Sequence, residues 1–200
     1  MPSYQQIFEY NRLWAEKKRL TDKSFFSRLA AGQHPDYLFI GCSDSRVNPE
    51  LITGSAPGEM FLHRNIANVV DPEDQITMSV LTFAIKHLNV QHVVVCGHYG
   101  CGGVEASLEP DKKGPLDPWL NHIRRVGGKH ATELEMIDDP GKRSDRLVEL
   151  HVEEQCRQVS RTAPFRETFL KHGYPKIHGW VYDMRNGLLR DLQVQNQSLS

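Results

Sequence analysis

The segment CGHYGCGG (residues 96–103) brings two thiols and one imidazole within six positions. His98 and Cys101 are three positions apart, and the glycines around them allow a tight turn on which both side chains converge. Cysteine and histidine are ligands that Zn²⁺ prefers in proteins. An H-x-x-C pair is a weak pattern, however, because both residue types also pack beside glycine turns without a metal. Spacing alone therefore leaves metal binding and ordinary packing open.

The ends of two apolar runs are alike and indicate a further ligand. FIGC (39–42) and VCGH (95–98) each place a glycine and then a ligand-type residue after an apolar pair. In open parallel sheets, binding groups lie just beyond the carboxyl ends of strands, so aligning the glycines sets Cys42 opposite His98. Cys96 then falls inside its strand, where a buried thiol behaves as a small hydrophobe. Two thiolates and one imidazole suit Zn²⁺ with an open fourth position, as in catalytic sites.

The segment CSDSR (42–46) adds a carboxylate and a guanidinium group close to the first candidate ligand. Asp44 can reach the same metal or its water, and Arg46 can hold that carboxylate through a two-pronged charge-assisted bond. The alternatives are a surface ion pair of little energetic worth and a helix cap formed by Asp44. A thiol redox centre is disfavoured because the chain contains no C-x-x-C motif.

Apolar runs and amphipathic stretches alternate along the chain and must position these residues. DYLFIG, EMFLHR and VQHVVVCG predict buried strands, and a helical stripe through Ile76, Val80 and Phe83 (or Ala84) precedes the third. Strand, helix and strand in this order favour a right-handed parallel unit. The other predicted elements are two N-terminal helices (4–20 and 25–30), a loop (109–118), three later helices (119–126, 145–161 and 163–173) and a closing hairpin (176–194).

The overall composition is that of a soluble globular protein, with 39% hydrophobic residues, 24% charged residues and a net charge of −1. Nothing in this balance favours nucleic acid or a membrane as a partner, and no apolar run approaches the roughly 20 residues of a membrane span. Four cysteines are too few for a disulfide scaffold. We predict a single domain over residues 1–200 in a reducing compartment. The cytoplasm is expected, and an organelle if a transit peptide has been removed.

Three separated motifs, GCSDSRV, GEMFLHRNIAN and VVVCGHYGCGGV, resemble those of the β-class carbonic anhydrases. The resemblance covers nearly the whole chain, up to the HGWVYD…GLLRDL hairpin, and it favours metal binding over packing. It implies an α/β fold with a mainly parallel central β-sheet, an antiparallel edge strand and flanking helices. It also implies a homodimer or homotetramer with an N-terminal helical arm at about residues 4–30. The apolar stripe Ile7, Tyr10 and Trp14 would cross a neighbouring subunit or, alternatively, cover its own domain.

The resemblance assigns a reaction, the reversible zinc-dependent hydration of CO₂ to bicarbonate and a proton. Cys42, His98 and Cys101 match the ligands of one Zn²⁺ per chain. Asp44 and Arg46 match the dyad that orients zinc-bound hydroxide toward CO₂. Two thiolates cancel the formal charge of the metal, so the bound water should be less acidic than on a three-histidine zinc, and activity should rise toward alkaline pH.

Two positions match the family's apolar substrate pocket, Phe83 and Gly102. CO₂ is apolar, so such a wall is required; for Phe83 a plain core position is an equal alternative.

A regulated, type II-like subclass of the family suggests a second pocket. There the counterpart of Asp44 becomes a fourth zinc ligand in a closed state that bicarbonate stabilises. Arg64 and Tyr182 match two residues of the bicarbonate pocket, and Phe39 replaces its tryptophan. Phenylalanine lacks the indole N–H donor, so we expect weakened bicarbonate inhibition. Surface or interface roles for Arg64 and Tyr182 are equally compatible with the sequence.

Other functions remain to be weighed against a carbonic anhydrase. The same scaffold could act on CS₂ or COS, or serve as a non-catalytic bicarbonate-sensing zinc protein. The Asp44–Arg46 pair argues against sensing, because a structural site needs no group to steer hydroxide. Cys156 is predicted to be packing. The histidines without a matching motif, one of which could transfer protons from the site, are His63, His92, His122, His130, His151, His172 and His178.

Overall fold

A computed structural model describes residues 2–109 and 114–194 of the chain. The chain divides into two compact units, one reaching His34 and the other starting at Pro35. The first unit holds helices α1 (Tyr4–Thr21) and α2 (Phe25–Ala30). A capping box begins α1, in which the Ser3 hydroxyl accepts from the backbone of Gln6 and the Gln6 side chain accepts from the backbone of Ser3.

The apolar stripe predicted along α1 has two different parts. Ile7 and Tyr10 are exposed in the single chain, at 52% and 71% of their surface. Trp14 instead packs edge-on against Phe25 and Phe26 of α2, with ring centroids 6.1 and 5.7 Å away. Of the three stripe residues, Trp14 is therefore the one that packs against α2.

The second unit is built on a five-stranded sheet in the described residues, with the order β2-β1-β3-β4-β5. The first three pairs of neighbours are parallel, and β4 and β5 pair antiparallel as a hairpin. This confirms the predicted mainly parallel sheet with an antiparallel edge strand. The strands are β1 (Tyr37–Cys42), β2 (Met60–Asn65), β3 (His92–His98), β4 (Lys176–Asp183) and β5 (Leu188–Asp191).

Helices connect these strands, and none in the described residues is long and apolar enough to cross a bilayer. They are α3 (Pro49–Thr53), a 3₁₀ turn (Ile66–Asn68), α4 (Gln75–Thr82) with a following π turn (Phe83–His87), α5 (Gly102–Leu108), α6 (Asp117–Lys129), α7 (Ala131–Glu135), α8 (Pro140–Arg161) and α9 (Ala163–His172). The predicted loop at 109–118 is two residues too long, because α6 begins at Asp117 with a proline in its first turn. Residues 110–113 of that loop lie outside the described residues.

The two faces of the sheet carry apolar clusters of unequal size. Leu38 and Ile40 of β1 point into the larger cluster, which includes side chains of α8. Phe39 points to the other face, into a small cluster with Val94 and Cys96. Cys96 therefore occupies the predicted core position, and burial raises the pKa of its thiol to about 12, so it stays protonated.

Candidate metal centre

The three predicted ligands lie at the carboxyl ends of two adjacent strands. Cys42 ends β1, His98 ends β3, and Cys101 immediately precedes α5. Gly100, at φ 64°, adopts the left-handed conformation that reverses the chain between His98 and Cys101. The Cys42 and Cys101 sulfur atoms are 3.9 Å apart. The ligand atoms of all three residues are buried and lie within 4.8 Å of one another.

The imidazole of His98 is oriented as a metal ligand would be. Its Nδ1 lies 3.1 Å from the carbonyl oxygen of Tyr99, and this contact requires the proton to be on Nδ1. The lone pair is then on Nε2, which is buried and has no hydrogen-bond partner among the described residues. An unpaired buried acceptor is costly, and coordination of a cation would satisfy it.

The chemistry of the two sulfur atoms also fits a cation. The hydrogen bond between the two thiols lowers the pKa of Cys42 to about 4 and raises the pKa of Cys101. The backbone N–H of Ala67 donates to Cys42 Sγ at 3.4 Å. One sulfur thus ionises readily and the other keeps its proton. A divalent cation supplies the charge that lets both become thiolates, and this donor set suits Zn²⁺.

An ionised carboxylate lies beside the ligand cluster. Asp44 accepts from Arg46 Nε at 2.9 Å and Nη2 at 2.7 Å, and its pKa is held well below the usual range mainly by these bonds. Asp44 Oδ2 is 3.8 Å from His98 Nε2. Arg46 Nη2 also donates to the carbonyl of Gly100 at 3.2 Å, and this bond joins the loop that follows β1 to the loop that follows β3. Asp44 does not cap a helix, because Asn48 caps α3.

The two predicted pocket positions have different surroundings. Gly102 is the first residue of α5, and a Cβ added there would meet no heavy atom within 4 Å, so open space adjoins Cys101. Phe83 is 44% exposed, which excludes the alternative of a plain core position. Its ring lies against Phe61 and His87. A role of Phe83 and Gly102 in substrate binding stays a prediction.

The three residues of the predicted regulatory pocket lie on and beside the face of the sheet that carries the small apolar cluster of Phe39, Val94 and Cys96, here called the small-cluster face. Phe39 is fully buried there, and Tyr182 packs against the same cluster. Arg64 donates to the carbonyl oxygens of Cys42 at 2.9 Å and of Asp44 at 2.7 Å. The guanidinium therefore holds the backbone that carries the ligand and the acid. Bicarbonate binding at this set stays a prediction.

Some groups around the ligands gave no signal in the sequence. The Ala67 amide that contacts Cys42 is one, since any residue has a backbone N–H. Another is the hydroxyl of Tyr99, which donates to Glu149 at 2.6 Å, where Arg190 also binds. Tyr99 lies inside the recognisable motif, but Glu149 is 50 residues away on α8. Only the folded chain brings such partners together.

Comparison with known proteins agrees with this arrangement. The family model described as Carbonic anhydrase matches residues 37–189. A carbonic anhydrase of Emericella nidulans is 52% identical over 96% of this chain and 84% of its own length. A carbonic anhydrase of Candida albicans is 35% identical over 95% of this chain and 68% of its own length.

Solved structures show the same fold. The β-carbonic anhydrase CafA of Aspergillus fumigatus superposes with a TM-score of 0.92 at 39% identity, over 98% of this chain and 93% of its own. A structure from a study of two tetrameric β-carbonic anhydrases of Sordaria macrospora has a TM-score of 0.92 at 38% identity, over 96% of this chain and 97% of its own. Since the family model spans β1 to β4 and reaches into β5, and the relatives match almost the entire chain, this protein belongs to the β-class carbonic anhydrases.

Proposed function

We propose that the protein holds one Zn²⁺ through Cys42, His98 and Cys101 and with it catalyses the reversible hydration of CO₂ to bicarbonate and a proton. The observation that carries this proposal is the buried cluster of three ligand atoms within 4.8 Å of one another. The His98 nitrogen in that cluster lacks a partner among the described residues.

Zn²⁺ in such a site supplies Lewis acidity, which lowers the pKa of water enough to provide a nucleophile near neutral pH. Asp44 then determines how the attacking hydroxyl group is oriented. The Arg46 bonds keep this carboxylate ionised, so it accepts a hydrogen bond and cannot donate one. It would hold the hydroxyl group by its proton, which would leave a lone pair on the oxygen free to attack the carbon of CO₂.

Arg46 acts as the group that fixes Asp44. It contacts both carboxylate oxygens, and its backbone N–H donates to Oδ1 at 3.0 Å, so rotation of the carboxylate is restricted. In a closed state Asp44 would be a fourth ligand of the metal, and this would require the paired geometry with Arg46 to break. The Arg46 side chain is 59% exposed, so water can solvate the guanidinium once the pair has broken.

The enzyme acts as a homodimer or homotetramer in this proposal. Ile7, Phe8, Tyr10 and Leu13 of α1 are each more than half exposed in the single chain, which is an apolar surface that an oligomer would cover. The Sordaria macrospora relatives are described as tetrameric. Light scattering on the purified protein measures the subunit number. A cytoplasmic location also remains part of the proposal, and it agrees with four free cysteines in the described residues.

The test combines metal content with turnover. Purified protein is analysed for zinc, and the initial rate of CO₂ hydration is followed from mildly acidic to alkaline pH. We expect one zinc per chain and rapid turnover, which an Asp44→Asn variant with full zinc content loses. Zinc without CO₂ turnover would contradict the proposed reaction, and turnover of COS or CS₂ in the same sample would replace it.

A further inference from the structure

A strained turn lies directly against Cys42. The 3₁₀ turn Ile66–Asn68 follows β2, and Ala67 and Asn68 both have positive φ angles, 59° and 49°. Non-glycine residues rarely adopt this conformation, and two in succession cost free energy that the surroundings must supply. The turn aims the Ala67 N–H at Cys42 Sγ. The strain therefore coincides with a hydrogen bond to a candidate zinc ligand.

Trp119 of α6 holds the peptide group that makes this bond. Its indole Nε1 donates to the carbonyl oxygen of Ile66 at 2.8 Å. That carbonyl and the Ala67 N–H belong to the same peptide plane, so fixing one end directs the other. A hydrogen bond accepted by the carbonyl also polarises the amide and strengthens its N–H as a donor.

His151 of α8 holds the next peptide group, and Gln155 orients the His151 ring. The Val70 N–H donates to the side-chain oxygen of Gln155 at 2.8 Å, which leaves the Gln155 NH₂ to donate to His151 Nδ1 at 3.3 Å. The His151 proton is then on Nε2, which donates to the carbonyl of Ala67 at 2.9 Å. His151 and Gln155 are 1% and 3% exposed. This buried chain has one consistent direction of donation and ends at the turn.

We propose that Trp119 and His151 are positioning residues of the metal centre, which clamp the turn Ile66–Asn68 so that the Ala67 amide donates to the Cys42 thiolate. The inference rests on the proposed function only in taking Cys42 as a metal ligand. An N–H···S bond draws electron density from the sulfur and fixes the position of this ligand atom. The clamp thereby slows loss of the metal and leaves more positive charge on it.

Cobalt-substituted protein tests this, because the thiolate-to-Co²⁺ charge-transfer absorption reports the electron density on sulfur. Trp119→Phe removes the indole donor and keeps an aromatic ring, and His151→Leu removes both ring nitrogens at similar size. We expect each variant to shift the absorption to lower energy. Zinc affinity, measured by chelator competition, should fall by about tenfold, the lower end of what partners of metal ligands contribute.

Two further variants serve as controls. His151→Gln keeps a donor for the Ala67 carbonyl and should restore most of the shift and of the zinc affinity. Trp180→Phe makes the same substitution as Trp119→Phe at a half-buried residue of the small-cluster face, and it should leave both readouts unchanged.

An unchanged charge-transfer energy in Trp119→Phe and in every folded His151 variant would overturn the proposal, even if activity fell. If His151→Leu does not fold, Trp119→Phe decides alone. Trp119 is only partly buried, so we expect this variant to fold. A wild-type protein without any thiolate-to-Co²⁺ absorption would contradict the proposed zinc site, which is a different outcome.

Discussion

His98 and His151 are both 1% exposed, and they differ in what their ring nitrogens contact. His151 has a partner on each nitrogen, whereas Nε2 of His98 has none among the described residues. Burial lowers the pKa of His151 to about 4, so its ring is neutral at physiological pH. The comparison teaches that burial of a histidine does not identify a ligand. A buried ring nitrogen that has no hydrogen-bond partner and faces two cysteine sulfur atoms does.

The elements that carry the two histidines explain the difference. His98 ends β3, where the chain leaves the sheet and can turn toward Cys42 and Cys101. His151 lies within the 22-residue helix α8, four positions from Gln155, a spacing that puts both side chains on one helix face. The strand end can therefore present His98 to a bound ligand, whereas the helix places His151 where it holds the backbone of Ala67.

The largest effect that separates the two residues should come from His98→Ala. Removing a direct ligand should lower zinc affinity by more than ~100-fold, because even partners of ligands contribute about 10–100-fold. His151→Gln should retain most of its zinc. Metal content after dialysis against a chelator, with CO₂ hydration on the same samples, measures both. Full zinc content in His98→Ala would contradict the conclusion that His98 is the metal ligand of the two histidines.

Asp44→Asn should affect turnover and leave the metal in place. The amide matches the carboxylate in size, but it is neutral and can donate a hydrogen bond where only an acceptor orients the hydroxyl group. We expect kcat/KM to fall by about 10²–10⁴-fold, the usual range for a group that handles a proton. Near-normal turnover at full zinc content would show that Asp44 only pairs with Arg46.

The pH dependence of stability should show that His151 is a buried, neutral structural residue. Its pKa is about 4 in the folded protein and near 6.5 when unfolded, so between these values the unfolded chain binds more protons. Stability is therefore lost as pH falls through this window, by about 2 kcal/mol between neutrality and about pH 5. Urea unfolding of wild type and His151→Gln at both pH values should show a smaller loss in the variant. Equal losses would contradict this.

The rate of CO₂ hydration should rise toward alkaline pH. Two thiolates would cancel the formal charge of Zn²⁺, whereas three neutral imidazoles cancel none, so water on the proposed zinc would be acidified less. Below the midpoint, the rate should change by about tenfold per pH unit, as for a single ionisation. Stopped-flow rates across this range test the expectation, which a flat profile would refute.

The smallest effect is expected at Phe39, a buried side chain that offers no donor. Phe39→Trp would supply an indole N–H, and one added donor to a buried anion is worth on the order of 1.5–3 kcal/mol. Bicarbonate should inhibit this variant about tenfold more strongly. Because Phe39 is fully buried, the larger ring also costs about 1–3 kcal/mol of stability, so unfolding is measured alongside. Equal inhibition constants would remove Phe39 from the proposed pocket.

Much of the fold could be predicted from pattern. The strands β1 to β4 lie where β-branched and apolar runs indicated them, and α2 has the predicted bounds, 25–30. Helix α8 begins at Pro140, five residues before the prediction, because Asp139 caps it and proline suits the first turn. The helices α3 and α7 were not predicted, since five residues are too few to display a helical period.

The sequence by itself determined the local chemistry, because His98 and Cys101, and likewise Cys42, Asp44 and Arg46, are close neighbours along the chain. Only the tertiary structure decided that the sulfur of Cys42 lies 3.9 Å from that of Cys101, 59 positions away. It also decided that His151 reaches the backbone of Ala67 across 84 positions. A bond from a side chain to a distant backbone group leaves no periodic signal in a sequence. Which buried polar atom finds a partner, and which is left for a metal, is settled only when the elements pack together.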